Sequence, residues 1–188
     1  MQSGTRGIDW ILLDINEELK SMDDYSAELQ EFEQQRIGLG SLLDEDPDKA
    51  IEEARLLPAH SSAGRILYAG LKGSTLIDAG SATGNRKAIE EGIALFESLR
   101  ETDPEDAGSH YNLGNGLVAI ADLQPYQGFD WYLTTAEARR KARWLFQHAA
   151  SCDTKGRILS RALTNLGNAS QKPIAGRRPM MRTAESWP

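Results

Sequence analysis

Apolar side chains recur along almost the whole chain at spacings of three and four residues, the period of a helix that buries one stripe. Alternating runs of β-branched residues are absent, so the expected class is all-α. Over residues 8–20 the stripe is Ile8, Leu12, Ile15 and Leu19. A thinner one, Tyr25, Leu29 and Phe32, predicts a helix over 23–37, with Ser21 and Asp24 placed to cap its start and Gly38 and Gly40 expected to end it. Asp46-Pro47 reads as an N-cap followed by proline at the first helical position, opening a short helix through Ile51, Ala54 and Arg55 that Pro58 closes. The helix expected over 62–78 carries Ala69, Gly70 and Gly73 among larger apolar residues. Small residues lower helix propensity, and the usual compensation is close approach of a neighbouring helix. Gly84-Asn85 marks a turn, 86–100 is amphipathic through Ile89, Ile93 and Phe96, and Asp103-Pro104 is expected to start the next helix. Two helices, a short turn and an Asp-Pro junction make the pattern of an αα-hairpin repeat.

Composition sharpens this picture in two ways. With 188 residues, 40% of them hydrophobic and 26% charged, the chain can build a core and lacks the signature of disorder. No apolar run is long enough to span a membrane and the single Cys152 cannot form an internal disulfide, so the expected compartment is cytoplasmic and no membrane partner is expected. The net charge of −7 is unevenly spread, with balances of −10 over residues 1–60, −5 over 61–130 and +8 over 131–188. Such a front half disfavours nucleic acid, whereas the basic end could meet an acidic partner or the acidic half of a second copy.

A five-residue motif repeats. Tyr111-Asn112-Leu113-Gly114-Asn115 recurs as Thr164-Asn165-Leu166-Gly167-Asn168, 53 positions later. The motif resembles the first helix of a tetratricopeptide repeat, in which a Leu-Gly pair lets two helices approach closely. Ala142, Phe146 and Ala149 match the second helix of that family's hairpin, and Asp153 falls where the family has Asp before its closing Pro, here Thr154. Phe96 and Asp103-Pro104 match the end of the preceding unit, with Gly92 as its small residue. Against a unit of about 34 residues, the excess of about 19 falls mostly between the helices. It forms an insertion over 122–137, at the end of which Thr134 to Glu137 read as a capping box that restarts the second helix.

The resemblance implies stacked antiparallel helix hairpins, a superhelix or α-solenoid, after an acidic helical region over 1–60. The repeats would occupy 61–170. Prolines 173, 179 and 188 forbid a second helix for the last repeat, so 171–188 reads as a disordered basic tail, truncated or out of frame, that leaves an apolar helix face open to self-association. The spacing is also similar to helical arrays that precede a HEPN-type domain.

Candidate chemistry is sparse. Gly114-x-Gly116-x-x-Ala119 fits a loose dinucleotide pattern that requires a preceding strand, and none is predicted. His148 and Cys152 lie four apart on one helix face, too few ligands for a zinc site. Arg143 with His148, and Arg55 with His60, both match a short Arg-x4-His ribonuclease pattern, and two matches in one chain show how unspecific it is. Asn168-Ala169-Ser170 is a glycosylation triplet that has meaning only on secretion. No catalytic residue, metal or cofactor is expected. The resemblance implies a protein or peptide partner held in a groove lined by Asn112, Asn115, Asn165 and Asn168, whose amides can bond an extended backbone. Tyr126, Phe129, Trp131 and Tyr132 of the insertion either anchor a partner or bury within their own hairpin. The rival functions are a non-catalytic fragment of a HEPN-like ribonuclease and a self-associating structural protein.

Overall fold

A computed structural model describes residues 27–57, 65–127 and 135–170, and all the regular structure among them is helical. The helix expected over 8–20, Pro58, Thr134 and the tail from 171 lie outside the described residues, so the helix, caps and stops assigned there do too.

Helix α1 is Ala27–Glu45. It runs straight through Gly38 and Gly40, which were expected to end it. The reason is packing: Leu39 is buried, and Leu42 and Leu43 pack on the core, so the stripe from Phe32 continues past both glycines. Burying one leucine is worth roughly 1.5–3 kcal/mol, enough to outweigh a propensity cost of about 1 kcal/mol for each glycine. A single residue, Asp46, joins α1 to α2, Pro47–Leu56. Its backbone N–H donates to the Leu42 carbonyl at 2.8 Å, while its carboxylate accepts the Lys49 N–H at 3.1 Å.

Helices α3, Arg65–Thr83, and α4, Arg86–Thr102, form a tight hairpin. Gly84 turns the chain at φ +72°, and the Asn85 side chain caps α4 by accepting from Ala88 N–H at 3.1 Å. The small residues do bring the helices together. A Cβ on Gly73 would lie 2.8 Å from the Phe96 ring, and one on Gly92 would lie 2.6 Å from the Gly73 carbonyl oxygen.

Helix α5, Ala107–Gln127, starts later than the Asp-Pro signal implied. Asp103 ends α4, its N–H bonding the Leu99 carbonyl. It is Asp106 that caps α5, accepting from Ser109 N–H at 2.8 Å and Gly108 N–H at 3.2 Å. The far end of α5 also departs from expectation, because 122–127 continue the helix where the insertion between helices was expected to begin. Pro125 falls within the last turn of α5, where it supplies no N–H to the helix.

Helices α6, Thr135–Cys152, and α7, Leu159–Ser170, complete the array. Ala142, Phe146 and Ala149 are buried as a single stripe of α6. Gly156 turns the chain at φ +68°, and the Asp153 carboxylate accepts from Ile158 and Leu159 N–H at 2.7 and 2.8 Å, which fixes the start of α7.

Each helix packs on its neighbours in sequence. In addition α1 touches α3, α3 touches α5, and α5 touches α7. A contiguous core runs from Phe32 to Ala169, with Phe32 meeting Tyr68 edge to face at 5.2 Å.

Candidate functional site

The repeated motif places Asn112 and Asn115 on α5 and Asn165 and Asn168 on α7. Gly114 explains why α5 can lie where it does: a Cβ there would be 2.5 Å from Cε1 of Phe146, so only glycine lets α6 come this close. Gly116 does the same toward the preceding hairpin, facing Ile93 at 2.6 Å and Ile77 at 3.2 Å. Both glycines of the loose dinucleotide pattern are thus packing positions in mid-helix.

The structure treats the four asparagines differently. Asn115 and Asn165 meet, the Asn165 amide donating to Asn115 Oδ1 at 2.8 Å and to the Tyr111 hydroxyl at 3.2 Å. Tyr111 is buried with its ring tilted against Phe146 at 6.0 Å, so a rigid aromatic holds the hydroxyl in place. Both donors of the Asn165 amide are used in these bonds, whereas its oxygen and the Asn115 NH₂ group take no part in them. Asn112 is only 2% exposed, and its Nδ2 is buried without a hydrogen-bond partner. Asn168 is exposed. The motif therefore yields one joined pair, one buried amide and one amide on the surface.

Of the aromatic residues in the insertion, Phe129, Trp131 and Tyr132 lie outside the described residues, and Tyr126 is described only as backbone of the last turn of α5. At the mouth of this hairpin Arg139 pairs with Asp122. Burial raises the Asp122 carboxyl above its ordinary range, against the opposing pull of the Arg139 charge.

A second cluster was not legible as a set. The His110 and His148 rings meet edge to face at 4.3 Å, and Trp144, 52% exposed, stacks on His148 at 5.1 Å. His110 is buried; its Nε2 lies 2.7 Å from the Pro104 carbonyl, which makes that nitrogen the N–H donor, and its Nδ1 has no partner. Burial chiefly lowers its pKa, with His148 and Arg100 adding to the effect; the bond to Pro104 and the charge of Asp106 oppose it. The pairing follows from the antiparallel hairpin: once Gly114 faces Phe146, His110, four residues before Gly114 on α5, lies level with the stretch of α6 just after Phe146, where His148 stands.

The remaining candidates are engaged elsewhere or incomplete. Arg55 makes a two-point ion pair with Glu91, at 2.9 and 3.1 Å, and His60 lies outside the described residues. Among the described residues no three His, Cys, Asp or Glu side chains converge as a metal site. Nor is any helix among them long and apolar enough to cross a membrane. Between the two inter-helix junctions lies a polar cleft lined by Asp106, Asp153, Lys155 and Arg157, but both aspartates are occupied as helix caps. No family model, curated protein or solved structure matches the chain.

Proposed function

We propose that the hairpins stack as a tetratricopeptide-like superhelix and that the chain is an interaction module, not an enzyme, binding a peptide or protein segment in the groove between α5 and α7. The observation that carries this reading is the Asn115–Asn165 junction. Two helices bearing the same motif touch, and the amides at their contact hold each other in place while keeping one acceptor and one NH₂ group to spare. Those are the complements of a peptide unit's N–H and C=O. The supporting architecture is the contact of α3 with α5 and of α5 with α7, together with the recurring approach of a glycine to a phenylalanine in both hairpins.

The test is selection of a displayed library of random peptides on the immobilised full chain, followed by affinity measurement on variants. Enriched peptides should bind Asn115→Ala and Asn165→Ala about tenfold more weakly, since a hydrogen bond of this kind contributes ~1 kcal/mol and leaving its partner unpaired adds to the loss. Binding to Arg36→Ala should be unchanged. Absence of any enriched peptide, or enriched peptides indifferent to both asparagines, would overturn the reading.

A further inference from the structure

His110, only 2% exposed, has one ring nitrogen engaged and the other not. Its Nε2 donates to the Pro104 carbonyl at 2.7 Å, so Nδ1 carries a bare lone pair, and that buried nitrogen has no hydrogen-bond partner. Native folds rarely leave a buried acceptor unpaired, and each case asks for an explanation. A ring N–H given to a backbone carbonyl, with the opposite nitrogen left free, is how proteins fix the tautomer and orientation of an imidazole that ligates a metal ion.

A second imidazole stands across the hairpin. The His148 ring lies 4.3 Å from the His110 ring, centre to centre, with 83° between their planes, and no hydrogen bond to its nitrogens is found among the described residues. His148 is half-buried and Trp144, stacked on it, is exposed, so this side of the pair is open to solvent. The ring spacing selects a coordination angle. With metal–nitrogen bonds of ~2.0 Å and each nitrogen ~1.1 Å from its ring centre, two imidazoles at right angles on one ion have centres ~4.4 Å apart, whereas a tetrahedral angle needs ~5 Å and a linear one ~6 Å. The charges of Asp106 and Arg100 act on His110 with opposite signs. Affinity for a cation must therefore come from the nitrogen lone pairs, which suits a late first-row ion and not calcium or magnesium.

We propose that His110 Nδ1 and His148 together hold one divalent late first-row metal ion, of the copper(II) or nickel(II) kind, at two adjacent corners of a square or octahedron. Water takes the other corners, since among the described residues no third His, Cys, Asp or Glu side chain joins the pair. That donor set does not suit zinc, whose tetrahedral sites draw three or four protein ligands. Copper(II) stands highest in the affinity order of the divalent ions for such ligands, and it accepts right-angle geometry. The bound ion ties α5 to α6 at the end of the hairpin away from its connection. This inference is independent of the groove between α5 and α7.

Titration of the full chain with copper(II), read by calorimetry and electron paramagnetic resonance, tests it. The parent should bind one ion per chain, with a spectrum split by two nitrogens. His148→Ala and His110→Gln should each weaken binding about tenfold or more, and His148→Ala should lose the two-nitrogen pattern. The chain has three histidines, so His60→Gln completes the set and should bind as the parent does. Helicity by circular dichroism should be unchanged in His148→Ala; if His110→Gln does not fold, the parent spectrum and His148→Ala still decide. Zinc(II) should bind about tenfold more weakly than copper(II). Absence of saturable copper(II) binding, a spectrum without two nitrogens, a His148→Ala variant that binds as the parent does, a site lost in His60→Gln, or zinc(II) bound more tightly than copper(II) would each overturn the proposal.

Discussion

Replacing Gly114 by alanine should destabilise the protein even though alanine is the better helix former. In an open helical position the exchange gains about 1 kcal/mol. At Gly114 the added methyl carbon would sit 2.5 Å from Cε1 and 2.9 Å from Cδ1 and Cζ of Phe146, a ring that is itself fully buried. Neither helix can yield freely, because Gly116 presses on Ile93 from the other side of α5. Overpacking of this kind costs typically 1–3 kcal/mol, so the net change should be a loss of up to about 2 kcal/mol, and Gly114→Leu should lose more. Gly38 provides the internal reference, since a Cβ there meets nothing within 4 Å. The difference between Gly38→Ala and Gly114→Ala cancels the propensity term and should be about 2 kcal/mol, roughly a thirtyfold change in the folding constant. Urea denaturation with matched slopes measures it. In a double-mutant cycle, Phe146→Leu should relieve part of the Gly114→Ala penalty, giving a coupling of about 1 kcal/mol. If Gly114→Ala were as stable as Gly38→Ala, or if the cycle were additive, the close helix approach would not be what this glycine is for.

Three further outcomes follow from other contacts. Gly38→Ala and Gly40→Ala should each stabilise by up to about 1 kcal/mol, read as a higher denaturation midpoint, because both lie inside α1 with open space around them. His110 is a base whose pKa folding lowers from 6.5, so below that value the unfolded chain binds the extra proton. Its contribution is complete above 6.5 and lost as pH falls toward the depressed native value; His110→Gln, which keeps a donor for the Pro104 carbonyl, should flatten that part of a stability–pH profile. Asp153→Ala should cost ~1–2 kcal/mol by uncapping α7, with hydrogen exchange faster at the Ile158 and Leu159 amides.

Periodicity made the helices readable, and local cap chemistry made two junctions readable, at Asp46-Pro47 and Gly84-Asn85, because in both the capping side chain and the residues it caps are adjacent in sequence. The same logic misplaced the start of α5. Asp103-Pro104 and Asp106 are both competent caps, and the choice between them is made by packing: Ser109 and His110 must be helical and buried. Gly38 and Gly40 misled for a related reason, since propensity is local while the burial of Leu39 is a tertiary effect. The motif singled out Asn115 and Asn165, but not as a bonded pair. That bond spans 50 positions and depends on how two helices stack, which no short-range pattern records. The histidine pair was hidden in the same way, split between α5 and α6.

The two hairpins close on the same kind of contact across different lengths of chain. Gly73 meets Phe96 in one and Gly114 meets Phe146 in the other, separations of 23 and 32 positions. The extra loop-closure entropy of the longer connection is only ~0.3 kcal/mol, because that cost grows with the logarithm of length. The contact that locks each hairpin is therefore almost indifferent to what lies between its helices. A reporter or a grafted peptide placed between Gln127 and Thr135 would be tethered at both ends to a rigid pair of helices while leaving the Gly114–Phe146 contact untouched, which makes that connection the place to build a sensor into this scaffold.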